Sequence, residues 1–92
     1  MNTLNPHLHC YRPLRSNFTD SPVLFINTQA SPADLYSCAQ QRLRAASDLL
    51  ETLSCLNFQQ ADGKDSGHIV NALYLLVQDS CDLLETAQLE VL

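Results

Sequence analysis

Apolar residues recur three and four apart over two stretches of the chain, a spacing that places them along one face of an α-helix. In the first stretch they are Leu35, Ala39, Leu43, Ala46, Leu50 and Leu53, with Leu49 and Leu56 widening the stripe. In the second they are Ile69, Leu73, Leu76, Leu83 or Leu84, and Ala87, with Ser80 in step and Val70, Leu75, Val77 and Cys81 broadening the face. The first helix is expected over about residues 32–58. Ser31 suits its N-cap, Pro32 its first helical position, and Asp34 a first turn where the helix dipole favours an acid. The second helix is expected over about residues 66–90, capped by Asp65 or Ser66 after a polar turn that contains Gly63. Ahead of the helices, Val23 to Asn27 is a short strand candidate. Residues 1–22 show no period. With Pro6, Pro13 and Pro22 they are expected to be an irregular or disordered N-terminal tail.

Two helices joined by a short turn form an antiparallel hairpin. The expected fold is therefore all-α: a two-helix hairpin over residues 23–92 with a short extended arm at its start. If the turn centres on Asp62, residues whose numbers add to 124 lie opposite one another. That sets Leu43 against Cys81 and brings Arg42 and Arg44 near Asp79 and Asp82. Each helix also carries more apolar surface than one partner helix can cover. Exposed apolar patches of that kind mark interfaces, so a homodimer closing a four-helix bundle is the expected assembly. Its candidate interface residues are Leu24, Phe25, Ile26, Leu49, Leu56, Val70, Val77 and Leu84.

Charge changes this picture in one respect. Residues 1–22 carry Arg12, Arg15 and Asp20, a net charge of +1, while the remainder of the chain carries −6 of the total −5. An acidic hairpin argues against direct nucleic-acid or anionic-membrane binding, which calls for basic patches. It suits a basic protein partner, and Asp79, Asp82 and Glu85 on the second helix are the expected partner-facing acids. There is no apolar run of membrane-spanning length and no signal-peptide pattern at the N-terminus. A cytoplasmic protein with reduced cysteines is thus expected.

The run LFINTQASPADLYSCAQQRLRAASDLL, followed by a polar turn and NALYLLVQDSCDLLE, resembles a family of small bacterial helical-hairpin proteins of unknown function. The matching residues are Leu24, Phe25, Ile26, Ala46, Ser47, Leu49 and Leu50, then Ala72, Leu73 and Leu76. The same look is similar to a quorum-sensing anti-activator, a small helical dimer that binds a LuxR-type transcription regulator. The resemblance implies a regulator that acts by binding and masking such a protein. It carries no catalytic residues to transfer.

Other chemistry is thin. His7, His9 and Cys10 are metal-ligating types in a short tract, but they supply at most three neighbouring ligands where structural zinc takes four. No metal or other cofactor is expected, and these three residues are the weak candidates. His68 with Cys55 is the nearest approach to a nucleophile and base, and no orienting third group accompanies it. Tyr36, Tyr74 and Phe58 suit either a core or an interface, and Tyr11 and Phe18 are the expected anchors if the tail docks. The expected function is a non-catalytic protein–protein interaction module that masks a transcription regulator. An acidic, antitoxin-like or phage-derived inhibitor of a nucleic-acid-binding protein is the alternative, and a small metal-binding protein a second.

Overall fold

A computed structural model describes residues 10–56 and 63–91, the last two by backbone alone. Their elements, in chain order, are strand β1 (Tyr11–Pro13), strand β2 (Phe25–Asn27), helix α1 (Pro32–Ser54) and helix α2 (Gly63–Val91). The two helices pack against each other, as the apolar stripes require, and the strands form a two-stranded antiparallel sheet.

Helix α1 starts where the sequence indicates. Ser31 is extended, its side chain accepts a hydrogen bond from the Asp34 N–H, and Pro32 opens the helix. At the other end the helix stops at Ser54 rather than near residue 58. There the Ser54 hydroxyl donates to the Glu51 carbonyl, and the Cys55 and Leu56 N–H groups turn back to Thr52 and Leu53. Such short-range bonds compete with helical ones and tighten a last turn. Helix α2 begins at Gly63, three residues before the expected start, which puts Asp65 inside its first turn rather than at its cap.

The register between the helices differs from expectation as well. The Ser80 hydroxyl approaches the Ala39 carbonyl at 3.5 Å, so facing numbers add to 119 rather than 124. Leu43 therefore does not lie directly opposite Cys81, which is exposed. Nor do Arg42 and Arg44 pair with Asp79 and Asp82, because Arg42 instead reaches back to the Cys38 carbonyl.

The tail departs furthest from expectation. Residues 10–27 fold into a hairpin with Tyr11 opposite Asn27, Arg12 opposite Ile26, and Pro13 opposite Phe25. The strand expected at Val23–Asn27 is thus real from Phe25 onward, and its partner is the supposed irregular tail. Residues 1–9 lie outside the described residues. Side chains alternate across a strand, so Arg12 and Ile26 share the face turned to the helices, while Tyr11, Pro13, Phe25 and Asn27 point outward and are exposed. A proline is tolerated in β1 because the strand has one free edge. The loop between the strands is held by Asn17, whose amide nitrogen donates to the Leu14 and Leu24 carbonyls and whose oxygen accepts from the Val23 and Leu24 N–H groups.

The core sits where the hairpin meets the helices: Ile26, Leu35, Ala39, Leu83 and Ala87, flanked by Leu14 and Ala30. Ala39 and Ala87 are fully enclosed, and their small side chains let the helices approach closely. Toward the turn the packing thins. Among the described residues, nothing lies within 4 Å of a methyl group added at Gly67.

These two ends respond oppositely to substitution. Ile26→Ala leaves a cavity under the hairpin and is expected to cost about 2–5 kcal/mol. Gly67→Ala removes a helix-interior glycine with no clash and is expected to add about 0.5–1 kcal/mol. Urea unfolding followed by circular dichroism reads both.

Candidate functional site

Two surfaces are worth building from their residues: the seat of the hairpin on α2, and the flank of the helix pair that the hairpin leaves bare.

Asp79, Asp82, Glu85 and Thr86 step by three and four along α2, which lines them up on one side of it. The hairpin lies along this line. Arg12 donates to the Glu85 carboxylate at 2.9 Å and to the Thr86 hydroxyl at 3.2 Å. Arg15 pairs with Glu85 as well, and its Nε lies 3.1 Å from an Asp82 oxygen. The other Asp82 oxygen accepts the Arg15 backbone N–H at 2.8 Å, and Ser16 donates to Asp79 at 2.7 Å. Gln78 also approaches Asp82, at 3.3 Å. Asp82 is 1% exposed, and these donors satisfy it, as a buried carboxylate requires. The Thr86 hydroxyl in turn donates to the Asp82 carbonyl.

This corrects two expectations. Asp79, Asp82 and Glu85 are not a bare acidic face: the chain's own Arg12, Arg15 and Ser16 engage them. Nor are Tyr11 and Phe18 the docking anchors. Tyr11 is half-exposed and Phe18 is 96% exposed at the tip of the loop, while the two arginines and Leu14 do the docking.

The opposite flank has another character. Residues two apart lie about 200° around a helix, so Val77 is turned away from Asp79, and Tyr36 from Cys38. Cys38 and Asp79 both line the cleft under the hairpin. On the flank facing away from the hairpin, α1 presents Tyr36, Leu43 and Leu50, each exposed and seven residues from the next. Helix α2 presents Val70, Val77 and Leu84, also exposed and also seven apart. Between these run Gln40, Ser47 and Ser54 on α1 and Leu73, Tyr74, Cys81 and Gln88 on α2. No acid or base interrupts either strip, although the chain has fifteen charged residues. Val70, Leu73, Tyr74, Val77, Gln78 and Cys81 together form a shallow apolar depression.

Of the expected interface residues, Val70, Val77 and Leu84 lie on this uncharged flank. Leu24 and Phe25 are exposed on the outside of the hairpin, Leu49 is half-buried, and Leu56 is exposed beyond the end of α1. Ile26 is buried in the core of the single chain, which removes it from any intermolecular face. Tyr36, Leu43 and Leu50 were the omission. Their seven-residue spacing is visible in the sequence, but Leu43 and Leu50 also fit the stripe expected to face the partner helix, and the structure leaves both exposed.

Among the described residues no group of three or more His, Cys, Asp or Glu side chains is placed to hold a metal. His7 and His9 lie outside the described residues. No described helix is long and apolar enough to cross a membrane. No protein family, curated protein or solved structure matches the chain.

The latch is unequal in its parts. Replacing Asp82 with alanine removes the acceptor of the part-buried Arg15 N–H and a partner of the Arg15 guanidinium, and is expected to cost about 1–3 kcal/mol. Glu85 is 43% exposed. Glu85→Ala is expected to cost about 1 kcal/mol at most, and that cost shrinks in concentrated salt. Unfolding midpoints at low and high salt distinguish the two.

Proposed function

We propose that the chain is a non-catalytic protein–protein interaction module that pairs with a second copy of itself through the uncharged flank of the helix pair. The single observation that carries this is the two exposed strips, Tyr36–Leu43–Leu50 and Val70–Val77–Leu84, running side by side without a charge. Interface centres are depleted in charged residues and enriched in aromatic ones. A second copy is the occupant that suits the surface, because the same seven-residue spacing on both helices offers matching ridges, and two such hairpins face to face make a four-helix bundle. The rim supports this as well: Arg44, Asp48 and Glu51 border the α1 strip with both signs of charge, which suits a self-complementary contact.

The further reading, a cytoplasmic regulator that masks a transcription regulator of the quorum-sensing type, rests on the resemblance described above. The acidic-inhibitor alternative would draw on Asp82 and Glu85, which Arg12 and Arg15 engage in the single chain.

A charge in the middle of the flank tests the pairing. Val77→Glu is expected to yield a monomer in sedimentation velocity while the wild type sediments as a dimer, with helix content equal in both. A wild type that is monomeric at all concentrations overturns the proposal.

A further inference from the structure

The hairpin seats on the helices mostly through polar groups. Its fully buried apolar contribution is Ile26, helped at the edge by Leu14 and Ala30. It also fits incompletely. A cleft of about 280 Å³ remains beside it, bounded by Leu14, Phe25, Leu35, Cys38, Arg42 and Leu83. An occupant held by charge and under-filling its groove is one that a better-fitting segment can displace.

What the groove accepts is written in the contacts of its present occupant. Two arginines three residues apart reach Glu85 and Asp82, and the aliphatic Leu14 between them faces the core. The turn after them offers a backbone N–H to Asp82 and a hydroxyl to Asp79. When the hairpin leaves, Asp82 and Glu85 lose their cations and Asp79 loses its hydroxyl donor, in a region of the chain that already carries net negative charge. Only an incoming segment that returns those cations is favoured there.

We propose that this groove is a docking site for an extended segment of a partner protein bearing two arginines around an aliphatic residue, and that residues 12–16 are its resident, displaceable occupant. The groove lies on the opposite flank from the proposed self-association face, so both can be filled at once. The two proposals therefore stand or fall separately.

The test uses the full chain. In the variant Arg12→Ser with Arg15→Ser the hairpin loses its latch while the groove keeps its carboxylates. A synthetic peptide with the sequence of residues 10–17 is titrated into it, with amide NMR as readout. A tethered occupant competes at an effective concentration on the order of millimolar. The peptide should accordingly shift the amides of residues 79–87 in the variant and bind the wild type about tenfold more weakly or worse. A peptide with glutamate in place of both arginines should bind neither, and adding Asp82→Asn to the variant should abolish the response. Absence of shifts at about 5 mM peptide, above that effective concentration, or equal binding of the glutamate peptide, overturns the proposal. Should the double variant lose its helices, Arg12→Ser alone carries the same comparison.

Discussion

Two helices lying side by side make a single layer, and a single layer has two faces. Folded domains bury both sides of such a layer against something else. Here the described chain spans only 14 Å in its thinnest direction. One face is partly covered by the β-hairpin at the end where α1 begins and α2 finishes. The other carries exposed apolar residues along both helices. The enclosed alanines, the latch and the uncharged flank all answer this one geometric constraint.

The hairpin meets it with few apolar groups. Three-residue strands cannot bury much, and alternation leaves one inward side chain in each, Arg12 and Ile26. Ile26 enters the groove, and Arg12 sits where a second apolar residue would otherwise be needed. The arm is therefore aligned by directional bonds to Asp79, Asp82, Glu85 and Thr86. Asp82 is the pivot, because it accepts both the backbone and the side chain of Arg15. Hydrogen bonds to charged groups are stronger than neutral ones, and a bond from the backbone fixes the path of the chain as well as its charge.

The helices were legible in the sequence because long periodic stripes and a Ser-Pro start are strong local signals. Their ends were less so. Nothing in Ser54-Cys55-Leu56 advertises that a serine hydroxyl will divert the last turn, and the early start at Gly63 runs against that residue's low helix propensity. The register between the helices differed as well. Strand β1 was hidden for a different reason: Tyr11-Arg12-Pro13 has a charge at its centre and a proline at its end, and its inward residue is an arginine whose partners lie more than seventy residues away. The same distance concealed the role of the acids. The stretch from Asp79 to Glu85 reads as a solvated face until residues 12–16 are placed on it. Charge asymmetry between the tail and the hairpin was the available clue, since the basic arm engages the acidic helix within the chain.

Of the candidate surface, Val70, Val77 and Leu84 were visible from their spacing, while Leu43 and Leu50 of the α1 strip also fit the stripe expected to face the partner helix. In the proposed dimer this flank is closed by a second copy. Cys81 lies within the flank, while Cys38 and Cys55 are exposed elsewhere, and all three are free thiols. The most direct measurement is the rate of alkylation of each cysteine in the native protein as its concentration rises. Cys81 is expected to become progressively protected while Cys38 and Cys55 continue to react at a constant rate. A Cys81 that reacts as fast as the other two at every concentration would contradict the proposed dimer.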